Sequence, residues 1–596
     1  SREEWLATLR ACADDQQQRC ADNQILLEQY LYPLSSNPAL LSDEGYDLLL
    51  SFCRDFYYSN YTEPALLIRI IDILLPHYED RSDTESLLFL YICAGFSYME
   101  LSRTGEPTSR DKTIYFYTKV LSYRDQIEFF ESAASRDYIF IAYYNLIRVA
   151  PGLGILDIET AYRLWEELCQ IRTMPKFCQY DTTNPRIPQL CDCAINDFRA
   201  YGAVLNVERV IAPSAILSSL ENMTQIYYSE ILHEHGSIYE CPAFTVFNYH
   251  YVQARNGTIT WEAAWQILDD YYVHKMQTIG QVSSPDLLAF YTNLPLNLID
   301  VLGHTHFKEE FKQATYRRYR NLITSYLMNQ PASLNSYTLN NGVQLVAFHP
   351  LILGTFQNRM EKMNFIVDLV VTRHLTTFTH SVMVSYLAEA IGKHILAARP
   401  ELLRIPSSYL EGNVYASPAE VLDYIVPAAL FHDIGKNGMI PIINTQHRKL
   451  NDYEFNIIQT HPQKGSDYLS SDPDFLIYQP VALGHHRSYD GTRGYPLSFD
   501  NTASPYRDAI DLIHICDCLD AATDYLSRNY HRAKPFDVVL NELKAGRGTE
   551  YNPDMVDVIL SDRELYNDLK MLTEQNRENI YYDIYLTFVN LRKKRQ

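Results

Sequence analysis

Phe431-His432-Asp433-Ile434-Gly435-Lys436 is the stretch on which the reading of this chain turns. It follows the apolar run Val421–Leu430, which reads as a buried helix. His432 and Asp433 therefore project from its last turn, and Gly435 is expected to take the left-handed conformation that ends it. An imidazole and a carboxylate side by side at a helix end can serve two metal ions. The imidazole takes one, and the two carboxylate oxygens bridge both. A His-Asp pair alone is a common dipeptide, so its weight comes from what surrounds it.

Upstream, His380 begins the amphipathic run Val382, Val384, Leu387, Ala390, Ile391 and Ile395. Downstream, Asn451-Asp452-Tyr453-Glu454 has the spacing of a capping box and leads through a helix to His461-Pro462. His485-His486 follows the helix with Val481 and Leu483, and Asp517 lies in the apolar helix Ala509–Ala521, where burial alone does not call for it. Five histidines and two aspartates at helix ends would leave a costly polar cluster near a core unless a metal pair compensated them. His447, His514 and His531 read as structural or surface residues.

The ordered set resembles the HD superfamily of metal phosphohydrolases, specifically its HD-GYP branch. The resemblance runs over residues 360–562. It includes His461-Pro462-Gln463-Lys464-Gly465, Asp490-Gly491-Thr492-Arg493-Gly494-Tyr495-Pro496, Asp517 to Asp520-Ala521, Arg528-Asn529-Tyr530 and Gly548-Thr549-Glu550-Tyr551-Asn552-Pro553. It implies two divalent metal ions, with iron or manganese favoured and zinc or nickel also suited to such ligands. One would be held by His380, His432, Asp433 and Asp517, and the other by bridging Asp433 with His461 and His485. Asp433 and Lys436 would be catalytic, and Lys436, Arg487, Tyr495 and Arg528 would contact substrate.

The implied reaction is hydrolysis of a 3′–5′ phosphodiester of a cyclic dinucleotide, cyclic di-GMP first, by a hydroxide bridging the metals. The alternatives are a low-turnover cyclic-dinucleotide receptor and an HD phosphohydrolase acting on another nucleotide such as cyclic GMP-AMP. Three departures from the family pattern bear on this. Thr376 stands where some members have a Glu tied to a third metal, which makes His486 a doubtful ligand. Arg487 replaces a Glu after the His pair. Thr492 and Arg493 lengthen the loop before Gly-Tyr-Pro.

The rest of the chain sets the frame. At 596 residues, 47% hydrophobic and 21% charged, it is expected to fold throughout into two or three domains. A net charge of −22 argues against binding nucleic-acid duplexes, and the terminal Arg592-Lys593-Lys594-Arg595 run reads as a solvated helix end. The 11 cysteines are too sparse for a disulfide scaffold, and neither Cys191/Cys193 nor Cys516/Cys518 has a second pair at zinc spacing. No uninterrupted apolar run is long enough to span a membrane. The chain opens at Ser1 with no charged-then-apolar leader, consistent with a processed or partial chain, and the cytoplasm is the expected compartment.

The expected architecture is all-α. Residues 1–211 read as a helical-repeat-like array, with helical spacing in Leu66–Leu75, Leu87–Tyr98 and Ile114–Leu121, and with tyrosines that serve interhelix packing. Residues 212–354 form a second helical segment, regulatory or connecting, with Val343–Phe348 a short strand or extended linker. Residues 355–596 form the HD-GYP-type bundle. The N-terminal region would bind a protein partner or self-associate through a concave surface.

Overall fold

A computed structural model describes residues 1–33, 37, 41–58, 63–130, 132–175, 186–204, 214–278, 285–330, 337–371, 373, 375–407, 414–439, 448–527 and 533–593. Every regular element among them is helical; β pairing is limited to isolated bridges such as Arg487 with Gly494. Among the described residues no helix is long and apolar enough to cross a membrane. Contacts group the chain into two units, Ser1–Leu31 with Arg320–Gln596, and Tyr32–Tyr319. These bounds do not coincide with breaks at 211/212 and 354/355, because the first helix and the segment from Arg320 pack with the C-terminal helices.

In the unit Tyr32–Tyr319, helices pack largely on their sequence neighbours. Thr84–Ser102 is sequestered along most of its length, from Ser86 to Leu101, between Pro64–Asp80 and Ser109–Leu121. It starts where Asp83 accepts from the Ser86 N–H, satisfying a donor the helix itself cannot. Many aromatic residues are core: Tyr117, Tyr143, Tyr271 and Tyr272 are fully buried, and the Tyr117 hydroxyl accepts from Asn145 Nδ2 at 2.9 Å. Cys53 and Cys93 are buried free thiols, and Cys169 is partly buried.

In the other unit we label α1 (Arg2–Leu26), α2 (Leu375–Ala398), α3 (Pro418–Phe431), α4 (His461–Leu469), α5 (Gln479–Gly484), α6 (Arg507–Thr523) and α7 (Arg577–Lys593). α3 starts with a Ser417/Glu420 capping box and Pro418 at its first position, and the expected Asn451/Glu454 box opens Asp452–Ile458. α2 packs against α3 and α6, and α4 packs against α5 and the 3-10 turn Ile434–Met439. α1 lies on α7, with Trp5 against Tyr582 and Tyr585 and Arg10 paired to Glu578. Val343–Phe348 is not a strand: helix Tyr337–Ala347 takes most of it, with Val343, Val346 and Ala347 buried on one face. Apparent alternation over so few residues fits either period.

Gly435 also departs from expectation. It is not among the positive-φ glycines, and the chain passes from α3 into the 3-10 turn instead of stopping in a left-handed cap. What requires glycine there is a close approach: a Cβ would lie 2.0 Å from the His461 carbonyl oxygen and 2.5 Å from the Gly465 nitrogen. Gly435 thus lets the backbone after His432-Asp433 press onto α4, which delivers His461.

Candidate metal centre

Three helix ends and two helix interiors converge on one buried cluster. His380 comes from α2, His432 caps the C-terminus of α3 with Asp433 next to it, His461 opens α4, His485 and His486 follow α5, and Asp517 lies on α6. The donor atoms fall into two groups that can each hold a cation. One is His380, His432 and Asp517; the other is Asp433, His461, His485 and His486, and within each group the atoms lie within 4.8 Å of one another.

Asp433 faces both groups. Its Oδ2 lies 3.6 Å from His380 Nε2 and 3.6 Å from His432 Nε2, while its Oδ1 lies 3.1 Å from His461 Nε2 and 3.6 Å from His485 Nε2. This is one carboxylate oxygen per group, the arrangement expected of a bridging ligand. Asp517 Oδ1 lies 2.9 Å from His380 Nε2, and its Oδ2 lies 3.6 Å from His486 Nδ1.

The imidazoles are oriented from behind. His432 Nδ1 donates to the Ala429 carbonyl at 2.6 Å, His461 Nδ1 to that of Ile458 at 2.6 Å, and His485 Nδ1 to that of Ala482 at 3.0 Å. Each therefore turns an Nε2 lone pair inward, the tautomer a metal needs. Burial drives the His432 imidazole down to about 3 and that of His461 down to about 4, with Asp433 opposing in both cases. Burial pushes the Asp433 carboxyl up, but Lys436 and the facing imidazoles outweigh it and hold it well below the usual carboxylate range. At neutral pH Asp433 is thus an ionised carboxylate facing neutral His432 and His461, the protonation state of metal ligands.

These residues fit metal ions on their own account. His432 Nε2 and His486 Nε2 are buried with no hydrogen-bond partner, and His461 Nε2 lies 3.2 Å from His485 Nε2 with both lone pairs turned inward. Facing lone pairs repel, and orphaned buried nitrogens are costly. A cation held within each group would remove both penalties. His486, doubtful in the sequence, stands geometrically with the other donors.

The remaining candidates sort by position. Lys436 Nζ donates to Asp433 Oδ2, with 15% of its side chain exposed. The partly exposed Tyr495 ring stands 4.5 Å from that of His486 and 6.0 Å from that of His461. Arg487 is different from what was expected. It is buried, and its guanidinium donates to the carbonyls of Gly491 and Gly494. With two donors spent on its own loop, it organises the approach to Tyr495, and the geometry does not support it as a phosphate contact. Arg528, His447 and His531 lie outside the described residues. His514 is not in the cluster, but its Nδ1 donates to the His485 carbonyl at 2.6 Å and holds that segment.

Sequence reasoning gave no role to Asp520 or Arg577. Asp520 Oδ2 accepts from His380 Nδ1 at 2.6 Å, and Asp520 Oδ1 accepts from Arg577 Nη1 at 2.8 Å. Asp520 was visible as an acid three residues after Asp517 in an apolar helix; Arg577 carried no local signal.

The HD domain family matches residues 377–528, which contain every donor described above. The chain is 26% identical over 303 residues to a cyclic di-GMP phosphodiesterase of Vibrio cholerae, covering 46% of this chain and 60% of that protein. It is 33% identical over 146 residues to the cyclic di-GMP phosphodiesterase response regulator RpfG of Xanthomonas campestris, covering 24% and 37%. A 3′3′-cGAMP-specific phosphodiesterase 2 of Vibrio cholerae is 25% identical over 203 residues, covering 34% and 37%. The chain thus spans 60% or less of the length of these relatives. Fold, site and match together define an HD domain. Over this stretch the chain is similar to the HD-GYP phosphohydrolases.

Proposed function

We propose that this chain is a metal-dependent phosphodiesterase that hydrolyses a 3′–5′ phosphodiester of a cyclic dinucleotide, cyclic di-GMP first. The observation that carries this reading is Asp433, with one carboxylate oxygen toward each donor group. Two divalent cations, iron or manganese in the first place, would be held by His380, His432, Asp517 and Asp433 Oδ2, and by Asp433 Oδ1, His461, His485 and His486. When bound, such a pair supplies Lewis acidity that polarises the phosphodiester and makes water a nucleophile near neutral pH.

The chain's own residues do the rest. Lys436 orients Asp433 and presents a compact positive charge beside the site, where a phosphate oxygen can meet it. Tyr495 offers a ring face beside His486 for a nucleobase or sugar. Arg487 fixes the 491–494 turn that sets Tyr495 in place. Arg528 is kept as a candidate phosphate contact on the family resemblance. On this reading the chain works in the cytoplasm, where a nucleotide substrate is met, and the helices of the Tyr32–Tyr319 unit serve a protein partner or self-association.

Relatives named for cyclic di-GMP and for 3′3′-cGAMP make substrate choice the discriminating test. Manganese-loaded protein given both dinucleotides at equal concentration should consume cyclic di-GMP faster; preference for cyclic GMP-AMP reverses the ranking. Tight binding without product favours the receptor reading.

A further inference from the structure

Among the four histidines oriented through Nδ1, three donate to backbone carbonyls, whereas His380 donates to a carboxylate. That carboxylate, Asp520, is fully buried, and a buried anion needs a compensating partner. Arg577 is the partner. It is itself fully buried at the start of α7, and each of its three nitrogens donates: Nη1 to Asp520 Oδ1 at 2.8 Å, Nη2 to Thr523 Oγ1 at 2.9 Å and Nε to the Thr573 carbonyl at 3.0 Å. Asp524 lies 3.7 Å from Arg577 Nη1 and is held in turn by Tyr581 of α7, whose hydroxyl donates to it at 3.0 Å. The outer side of α7 is clasped by α1, through Arg10 on Glu578 and Trp5 on Tyr582 and Tyr585.

We infer that Arg577 is a positioning residue for the metal centre, acting through Asp520 to fix the ring and proton of His380 and so set cation affinity on the His380–His432–Asp517 side. A carboxylate behind an imidazole raises the basicity of the opposite nitrogen and locks its direction. Arg577 holds Asp520 in register by its hydrogen bond to Oδ1, so that Oδ2 fixes His380 Nδ1 and Nε2 stays turned toward the site. The chain thus makes the affinity of one cation site depend on the docking of its last described helix. The inference rests on the reading of His380 as a metal ligand.

The test is calorimetric titration of the metal-stripped full chain with Mn²⁺, with circular dichroism to establish folding. Two variants are compared with wild type: Arg577→Lys, which keeps the buried charge but loses the fork, and Asp520→Asn with Arg577→Met, which removes the charge pair together. Removing both partners leaves no uncompensated buried ion, so the double variant is expected to fold. The wild type should take two ions. Both folded variants should lose about 10- to 100-fold in affinity for one ion and keep the other unchanged, the lysine variant losing less. Should the double variant be unstable, the lysine variant decides alone. Folded variants that bind both ions as wild type does, or that weaken both equally, overturn the inference. A wild type that binds no ion overturns the metal centre itself and the inference with it.

Discussion

His461 Nε2 and His485 Nε2 face each other at 3.2 Å, while the Nδ1 of each donates to a carbonyl of the turn before it. Two neutral imidazoles so arranged repel unless a cation lies between them. Mn²⁺ or Fe²⁺ should therefore stabilise the protein, by about 3–4 kcal/mol at a few hundred to a thousand times the dissociation constant. Thermal melts with and without metal should show an upward shift that a chelator reverses and that His461→Ala largely abolishes. An unchanged melting temperature would mean that the pair holds no ion.

Gly435 is where the turn after the His-Asp pair meets α4. A methyl group there would lie 2.0 Å from the His461 carbonyl oxygen, a backbone atom that a side-chain rotation cannot move. Gly435→Ala should cost about 1–3 kcal/mol, as overpacking of a close contact does, and should weaken metal uptake by shifting α4 and His461. Chemical denaturation and metal titration read the two effects separately. A variant as stable as wild type would show that the two segments separate easily.

Arg487 spends two donors on the carbonyls of Gly491 and Gly494. Arg487→Ala should leave the number of bound metals unchanged and raise KM for the dinucleotide, because the loop carrying Tyr495 loses its brace. Arg487→Lys should restore little, since an ammonium does not reproduce the planar fork. Full rescue by lysine would instead indicate a simple charge contact to phosphate.

Asp511 on α6 gives a pH signature away from the donor atoms. Burial pushes its carboxyl up to about 7, against the hydrogen bond from Asn552 and the nearby Arg507. A carboxyl whose folded pKa is raised stabilises fully below its unfolded value and loses that contribution as pH rises through the folded one. The window is therefore from about pH 4 to about pH 7. Asp511→Asn should match wild type near pH 4 and exceed it above pH 7, by an amount on the order of 3–4 kcal/mol. Denaturation at both pH values checks this; a difference independent of pH contradicts it.

The sequence made the helices and the donors legible because both are local. Apolar spacing marked α2, α3 and α6, the Asn451/Glu454 box marked a helix start, and histidines at helix ends marked the cluster. What depends on distant chain segments was not legible. Gly435 is needed for the approach of α4 and not for its own φ, Arg487 is drawn to carbonyls of a loop it braces, and Arg577 reaches Asp520 from a helix with no spacing relation to it. Val343–Phe348 alternates by chance within a helix. The joining of α1 to α7 brings together the two ends of the chain, which no local pattern encodes.

The measurement that bears most directly on the central claim is product release from cyclic di-GMP by manganese- or iron-loaded protein, beside Asp433→Ala. Asp433 turns one carboxylate oxygen toward each donor group, so the account predicts metal-dependent turnover that falls by at least about 100-fold in the variant. Turnover that survives Asp433→Ala, or a metal-loaded wild type that binds the dinucleotide and releases nothing, would contradict it.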